Sequence, residues 1–116
     1  MQNYVIRGVE YAMDGDHHAA IAEFNRVIEL DPKNEDAYAF RGSSYASLGE
    51  WDKAISDFTY VIALNRKDDY YFQRGGAYFM LEKFSEARSD LETALRINPE
   101  NADAKATLDI LESIGC

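Results

Sequence analysis

The sequence contains few residues that cross-link a chain or break its helices. Cysteine occurs once, at Cys116, and proline occurs only twice. A single cysteine excludes an internal disulfide framework, so the sequence carries no sign of an oxidising compartment and a cytoplasmic location is the default expectation. The scarcity of proline, together with recurring alanine, leucine, glutamate and lysine, favours a helical protein.

Long apolar runs and an excess of basic residues are missing as well. No stretch approaches the roughly 20 apolar residues that cross a bilayer, and the region around Arg7 lacks the apolar run of a signal peptide. The chain has 12 basic and 21 acidic side chains, which gives a formal charge of −9. Because phosphate groups repel an acidic protein, neither nucleic acids nor anionic membranes are expected partners. A basic or mainly apolar partner fits better, although solubility alone also accounts for such a charge.

What the sequence does contain is a repeat. An arginine–glycine pair occurs three times, in steps of 34 and 33 residues, and alanine, tyrosine and bulky apolar residues recur with the same steps. Agreement at this many positions indicates three copies of one structural unit. The rows are Arg7, Arg41 and Arg74; Gly8, Gly42 and Gly75; Ala20, Ala54 and Ala87; Phe24, Phe58 and Leu91; Tyr4, Tyr38 and Tyr71; and Tyr11, Tyr45 and Tyr78.

Each unit predicts two helices. Tyr38, Gly42 and Tyr45 lie on one face at helical spacing, as do Ala54 and Phe58 in the second half of that unit. A chain of 116 residues that is 47% hydrophobic suffices for one domain with a small core. The predicted first helices are 3–14, 36–48 and 69–82, the second helices are 17–30, 51–64 and 84–97, and a final helix spans 102–114.

Turn-forming residues agree with this division. Gly15 and Gly49 fall between the helices of a unit, where a left-handed C-terminal cap is favoured. Pro32 and Pro99 end the second helices of the first and third units. The third unit has Glu82 where the others have glycine, so its turn needs another solution.

These rows resemble the tetratricopeptide repeat family, whose pattern has Gly, Tyr, Ala, Phe and Pro at the same spacings. The resemblance covers residues 1 to about 101, and it departs from the pattern at the arginine row and at Arg66, where proline is expected in a unit one residue shorter. Each glycine of the arginine–glycine pairs is expected to face the alanine row across its hairpin. The implied fold is an all-α solenoid in one domain, 1–116, with hairpins 1–34, 35–67 and 68–101 and a capping helix 102–114.

An acidic residue follows each arginine of the repeat by sixteen positions. Because the arginine and acid rows flank the contact between the helices of a hairpin, we predict a structural ion pair in every repeat. This role is favoured over ligand binding, since buried charges are normally paired. The pairs are Arg7 with Glu23, Arg41 with Asp57, and Arg74 with Asp90.

Catalytic chemistry finds little support. His17 and His18 are adjacent, so their side chains leave a helix about 100° apart and do not readily share a metal. His17 falls in one row with Trp51 and Phe84, which indicates packing, and Cys116 lies at the opposite end of the stack. No phosphate-binding glycine loop or calcium loop is present. We therefore expect no enzyme activity, no metal and no cofactor.

In the family that the sequence resembles, the first helices of the repeats line a concave groove that binds peptides. We expect Phe72, Phe79 and Met80 to form an exposed apolar patch around a notch at Gly76. The alternative is that these aromatic residues pack against the neighbouring hairpin. The residues expected to line the groove are Val5, Val9, Met13, Asp36, Phe40, Ser43, Asp69, Phe72, Gln73, Gly76, Phe79 and Met80.

The resemblance also excludes one type of ligand. Chaperone adaptors of the family hold a terminal carboxylate with lysine, asparagine and arginine side chains in the groove. None of the matching residues here is basic, so an acidic peptide of that type is a poor ligand. The matching residues are Val5, Val9, Phe40, Asp69 and Gln73.

The sequence thus predicts a scaffold for protein interaction, monomeric or weakly dimeric. Its ligand would be a peptide or protein segment with apolar anchors and with basic flanks that answer Asp36 and Asp69. Two alternatives stay open. The chain could be an assembly module that self-associates through the groove or through the final helix, where Ile110 and Ile114 lie off the main apolar stripe. It could also be one segment of a longer solenoid.

Overall fold

The computed structural model describes residues 2–115, and over this range the chain forms seven α-helices and no strand. The predicted all-α solenoid of helical hairpins is confirmed. Cys116, which the sequence analysis places at the opposite end of the stack from His17, lies outside the described residues. The helices are α1 (Gln2–Met13), α2 (His17–Leu30), α3 (Glu35–Ser47), α4 (Trp51–Leu64), α5 (Asp68–Met80), α6 (Phe84–Ile97) and α7 (Ala102–Ser113).

The turns inside the three hairpins share one conformation although their sequences differ. Gly15 and Gly49 have φ angles of +85° and +76°, in the left-handed region that glycine enters freely. Glu82 takes the same place in the third turn with φ of +60°, so α5 ends at Met80 rather than at the predicted position 82. In each turn a backbone N–H donates to the carbonyl of the tyrosine five residues earlier, which satisfies a free helix end without requiring glycine.

The way the helices pack gives the stack a curvature. Each helix packs on its neighbours in sequence, and the odd-numbered helices also contact one another, α1 with α3, α3 with α5 and α5 with α7. Over residues 2–115, α2, α4 and α6 do not contact one another. The odd-numbered helices therefore lie on the inside of the curve. The resulting molecule is elongated, with extents of 44 × 24 × 21 Å.

Repeated aromatic and small residues fill the core. Phe24 and Phe58 are fully buried, as is Leu91 in the same row. A second layer forms between the third hairpin and α7, where the buried Leu111 belongs to one cluster with Leu91. The capping helix thus covers the last hairpin with the same kind of contact that joins the hairpins.

The glycine row allows the two helices of each hairpin to approach closely. A Cβ atom on Gly42 would lie 3.1 Å from the Asp57 Cβ and 3.1 Å from the Phe58 Cζ. The atoms nearest to the glycines therefore belong mainly to the row of Phe24, Phe58 and Leu91, one turn beyond the alanine row. Only at Gly75 is an alanine atom, the Ala87 carbonyl oxygen, among the three nearest.

The shortened junction between α4 and α5 is held by side chains instead of proline. Arg66, which replaces the proline, donates from its Nε to the Tyr71 hydroxyl at 3.0 Å. At the two longer junctions Asn34 and Asn101 cap the next helix by accepting a backbone N–H at 2.9 Å. The residue at that position in the short junction, Lys67, makes no side-chain cap.

Candidate functional site

The inner face of the curve is the candidate site, and the register of the repeat decides which side chains lie on it. Ser43 lies nine residues after the cap Asn34, and Ile110 lies nine residues after the cap Asn101. The final helix therefore repeats the register of the helices that open each hairpin. The equivalent positions of the inner face are Val9, Ser43, Gly76 and Ile110; Met13, Ser47, Met80 and Ile114; and Asp36, Asp69 and Asp103.

A cavity of about 200 Å³ opens on this face between the first two hairpins. A cavity of ~150 Å³ accommodates benzene, so this one has room for one aromatic or branched aliphatic side chain. Its space arises because α3 presents three serines where α1 presents larger residues. The lining consists of Val9, Ala12, Met13, His17, Phe24, Phe40, Ser43, Ser44 and Ser47. We call it the first-hairpin pocket.

Phe40 forms one wall of the first-hairpin pocket. Its ring stacks on the buried Phe24 ring, with centroids 5.7 Å apart and planes 23° from parallel, while 40% of the residue stays exposed. Such a stack holds an apolar surface open to solvent in a fixed orientation. Met13, on the opposite helix, is exposed over 81% of its surface.

His17 lines the same pocket, a role that the sequence analysis missed. It is half-buried and sits in the row that holds Trp51 and Phe84 in the other hairpins. That row correctly indicates a ring packed between helices. It does not reveal the empty space beside the ring, which depends on the serines of a different helix.

The apolar patch expected on α5 is narrower than predicted. Phe72 and Phe79 are partly buried and pack against the core of the third hairpin, where Phe79 meets Phe84 edge-on at 5.7 Å. These two residues therefore pack within their own hairpin and its cluster with α7, which neither the exposed patch nor the alternative in the sequence analysis had described. Met80 is 54% exposed, and the space beside the Cα of Gly76 is open to at least 4 Å.

The apolar surface continues from α5 onto α7, which the sequence analysis did not foresee. Ile110 and Ile114 are 50% and 52% exposed and occupy the register positions of Gly76 and Met80. Both residues lie off the apolar stripe of α7 when that helix is considered alone. The register that α7 shares with α3 and α5 identifies them as inner-face residues.

A polar band separates the first-hairpin pocket from this second apolar surface. The Ser43 hydroxyl donates to the Gln73 Oε1 at 2.8 Å, which links α3 to α5. The Gln73 amide in turn donates to the Asp69 Oδ2 at 2.8 Å. Three of the predicted groove residues are thus joined in one chain. Asp36, at the register position of Asp69, is exposed.

The predicted arginine–acid pairs lie behind the inner face. Arg41 donates from Nε and Nη2 to the two carboxylate oxygens of Asp57, at 2.9 and 2.7 Å. Its Nη1 donates to the Asn25 Oδ1 at 2.9 Å, in the preceding hairpin. The hydrogen bonds to Asp57 raise the pKa of the Arg41 guanidinium, and burial opposes this rise.

The other two hairpins repeat this arrangement to different degrees. Arg74 bonds both carboxylate oxygens of Asp90 at 2.8 and 2.7 Å, and these bonds likewise raise the pKa of Arg74. Its Nη1 reaches Thr59 of the preceding hairpin at 3.1 Å. Arg7 and Glu23 lie 3.2 Å apart, but the Arg7 side chain is 52% exposed and the contact lacks hydrogen-bond alignment. The first pair is therefore the weakest of the three.

The acidic residues that begin α3 and α5 form hydrogen bonds with side chains at the next junction between repeats. Glu35 accepts hydrogen bonds from the Tyr70 hydroxyl and the Asn65 amide, and Asp68 accepts from the Asn98 and Asn101 amides. The bond from Tyr70 lowers the pKa of Glu35. In the same way the bond from Asn98 lowers the pKa of Asp68, with burial opposing both. These carboxylates join successive repeats and do not face the groove.

Comparison with known proteins places this architecture. One family model, described as TPR repeat, matches residues 8–49, and another, described as Tetratricopeptide repeat, matches residues 69–101. Together they span more than half of the chain. The chain belongs to the tetratricopeptide repeat family. Its TPR architecture is that of a protein-interaction module rather than of an enzyme.

Several solved TPR structures superpose on nearly the whole chain. The first TPR domain of human RPAP3 is 32% identical, with a TM-score of 0.89, and the match covers 95% of this chain and 87% of that one. The first TPR of Spaghetti (RPAP3), bound to the HSP90 peptide SRMEEVD, is 31% identical, with a TM-score of 0.93 and coverage of 97% and 90%. The second TPR domain of human RPAP3, in complex with the HSP70 peptide SGPTIEEVD, is 28% identical, with a TM-score of 0.88 and coverage of 96% and 97%. Comparison with curated protein sequences gives no significant match.

The TPR fold of this chain presents no basic side chain at the five positions that match the carboxylate-binding residues of chaperone adaptors. Val5 and Val9 of α1 are partly buried and apolar, and Phe40 belongs to the pocket wall. Asp69 and Gln73 form the polar band. A negative charge at Asp69 and three apolar residues give this part of the groove a surface that repels a carboxylate.

Metal clusters and membrane spans are both missing from the part of the TPR chain that the structure describes. In residues 2–115, no group of three or more histidine, cysteine, aspartate or glutamate side chains is arranged to hold a metal ion. None of the helices in that range combines the length and the apolar character that crossing a bilayer requires.

Proposed function

We propose that this TPR domain is a scaffold that binds a peptide or protein segment through apolar anchors in its inner groove. The observation that carries the proposal is the first-hairpin pocket, where Phe40 and Met13 expose apolar surface beside unfilled space. An open apolar cavity with a few polar groups at its edge is the usual form of a binding site. Exposed apolar surface of this kind on a protein of charge −9 favours an apolar contact with a partner.

The similar structures support a peptide as the ligand, but the charges of this groove favour a peptide of different chemistry. Two of them hold SRMEEVD and SGPTIEEVD, each with three acidic residues near its end. The groove of this chain carries Asp36 and Asp69, and among its described residues it has no lysine or arginine to meet an acidic peptide. We therefore propose a ligand with apolar anchors and basic flanks.

The division of the chain follows from the same proposal. Repeats 1–34, 35–67 and 68–101 would each contribute one helix to the groove, and the capping helix of 102–114 would close it. The helix bounds support this division, although α7 ends one residue earlier, at Ser113.

We also propose a cytoplasmic location, which the low cysteine content supports.

The proposal is tested by selecting ligands for the intact domain from a random 16-residue peptide library displayed on phage. Affinities of the selected peptides are then measured by fluorescence anisotropy for the native chain, for Phe40→Asp and for Leu30→Asp. Leu30 is an exposed apolar residue at the end of α2, outside the groove, and is the matched control. We expect Phe40→Asp to weaken binding at least tenfold and Leu30→Asp to leave it unchanged. Equal affinity for all three proteins would overturn the assignment of the groove.

Self-association is a second candidate function, favoured by the exposure of Ile110 and Ile114 on the last helix. Sedimentation velocity over a hundredfold range of concentration separates the two functions. A constant monomeric sedimentation coefficient supports binding of a separate partner, and a coefficient that rises with concentration supports self-association.

A further inference from the structure

The groove has two apolar sites rather than one. The first is the first-hairpin pocket between α1 and α3. The second lies on α5 and α7, where Met80 and Ile110 are about half exposed and no atom lies within 4 Å of the place that a Cβ on Gly76 would take. We call this the third-hairpin patch and define it by Gly76 and Met80 of α5 together with Ile110 and Ile114 at the end of the chain.

The two sites are kept apart by hydrogen bonds that are already satisfied. Two hydrogen bonds join Ser43, Gln73 and Asp69 across α3 and α5, the helices that separate the pocket from the patch. An apolar side chain of a ligand placed over this band would cover polar groups without replacing their bonds, which is unfavourable. The band therefore accommodates the backbone or a polar side chain of a ligand better than a third apolar anchor.

The spacing of the helices fixes the separation of the anchors. Neighbouring helices pack ~8–10 Å apart, so the middle of the α1–α3 pair and the middle of the α5–α7 pair are separated by roughly 16–20 Å. An extended chain advances ~3.3 Å per residue, so roughly five to six residues span this distance, and six is the even number in that range. Since successive side chains of an extended chain alternate between two faces, an even separation lets both anchors point into the groove.

Charge selects the occupant among the possible segments. Asp36, Asp69 and Asp103 occupy one row at the beginning of α3, α5 and α7, and no basic side chain lies among the described inner-face positions. Their place in the first turn of a helix is also favourable for the helix itself. A second copy of this chain, which carries the same acidic row, would bring like charges together, whereas a basic segment neutralises them.

We propose that the groove takes one extended segment of a different protein, with two apolar side chains six residues apart and with lysine or arginine between or beside them. The aromatic anchor would occupy the first-hairpin pocket, and an aliphatic anchor would cover Met80 and Ile110. This proposal rests on the proposed function, because it specifies how the same groove recognises its ligand.

The test uses the peptides selected by phage display and four variants of the full chain. Met13→Lys alters the first-hairpin pocket, and Ile110→Lys and Met80→Lys alter the third-hairpin patch. Leu30→Lys is the matched control, because it makes the same change of charge at an exposed apolar residue outside the groove. We expect selected peptides to share two apolar residues at a separation of six. Lysine at either site should weaken their binding at least tenfold, and the control should change it less than twofold.

Insertion of one serine between the two anchors of a selected peptide is the sharpest comparison. A separation of seven turns one anchor away from an extended groove, so we expect a loss of at least fivefold, and a second inserted serine should not restore full affinity. Circular dichroism of each variant checks that the helices are intact, and a variant that does not fold is replaced by glutamine at the same position.

The possible outcomes separate this inference from the proposed function. Peptides that need only one anchor, or that lose affinity only with Met13→Lys, would overturn the two-site inference and leave a peptide-binding groove. Peptides whose anchors lie about eleven residues apart would show a helical ligand and would also overturn it. Failure to select any peptide, or equal losses with Leu30→Lys, would overturn both. Dimerisation that Ile110→Lys abolishes would assign the patch to a second copy and overturn the inference.

Discussion

The Arg41 guanidinium spans two carboxylate oxygens of Asp57, at 2.7 and 2.9 Å, and turns its remaining nitrogen to Asn25 of the preceding hairpin. Asp57 is buried, and the Arg41 side chain is 20% exposed. These three hydrogen bonds and the pairing with Asp57 thus explain how the charge of Arg41 is accommodated on the largely buried face of a helix.

Removal of one partner from this pair should be more harmful than removal of both. We expect Arg41→Ala to lower the free energy of unfolding by about 3 kcal/mol, because it strands the buried Asp57 carboxylate. The double variant Arg41→Met with Asp57→Leu should lose less than either of its single changes, and so clearly less than their sum. Urea unfolding followed by circular dichroism measures both. Arg7→Ala is the control in an exposed pair, with an expected loss below about 1 kcal/mol. Additive effects at Arg41 and Asp57 would contradict the coupling.

Two glycines on neighbouring helices should respond to alanine with opposite sign. A Cβ on Gly42 would meet the Phe58 ring at 3.1 Å, so we expect Gly42→Ala to destabilise the fold by about 1–3 kcal/mol. Gly76 lies inside α5 with open space around it, and alanine there should stabilise the fold by about 0.5–1 kcal/mol. Thermal unfolding of the two variants tests the pair. A loss at Gly76 equal to that at Gly42 would mean that the groove beside Gly76 is closed.

Acid should weaken the junctions between repeats. The pKa values of Glu35 and Asp68 are lowered in the folded chain, chiefly by hydrogen bonds from Tyr70 and Asn98. Their contribution to stability is therefore complete above the ordinary carboxyl pKa values of 4.5 and 3.8, and it is lost as the pH falls through the lowered values.

We expect the melting temperature to be flat near neutral pH and to fall below about pH 4.5. In Glu35→Gln and Asp68→Asn the melting temperature should be lower at neutral pH and should decline less steeply with acid. Glu29→Gln, on the exposed face of α2, is the control. Native-like steepness in both junction variants would show that other carboxylates govern acid unfolding.

The groove should discriminate against the acidic peptide that a similar structure binds. We expect no measurable affinity of the native chain for SRMEEVD by fluorescence anisotropy, since Asp69 repels its carboxylates and no lysine or arginine lies at the described inner-face positions. The double variant Asp69→Lys with Gln73→Arg reverses the charge at this place and should bind the peptide detectably, with an affinity that falls as salt is added. Tight binding by the native chain would contradict our description of the groove.

Much of the fold could be predicted because the repeat places the same residue types in the same surroundings three times. The row of Phe24, Phe58 and Leu91 identifies the core, and the sixteen-residue offset between Arg41 and Asp57 identifies the contact across a hairpin. Glu82 in a glycine position was the point where this logic left the answer open. Backbone hydrogen bonds at the helix end hold that conformation, and a sequence pattern does not report them.

The site was less predictable than the fold, because it depends on space rather than on residue type. Phe79 and Met80 are adjacent and both apolar, yet Phe79 packs on Phe84 while Met80 is exposed. The first-hairpin pocket exists because Ser47 is small beside larger neighbours from another helix. Ile110 is recognised as a groove residue only from its register, because it follows the cap Asn101 by the same nine residues that separate Ser43 from the cap Asn34.

The third bond of each inner arginine has a consequence for how the molecule comes apart. Arg41 holds α2 as well as α4, and Arg74 reaches back to Thr59 in the same way. Melting one hairpin thus breaks a charge-assisted hydrogen bond to the next, which makes an intermediate with two ordered hairpins and one melted hairpin less stable. The three hairpins should therefore unfold together.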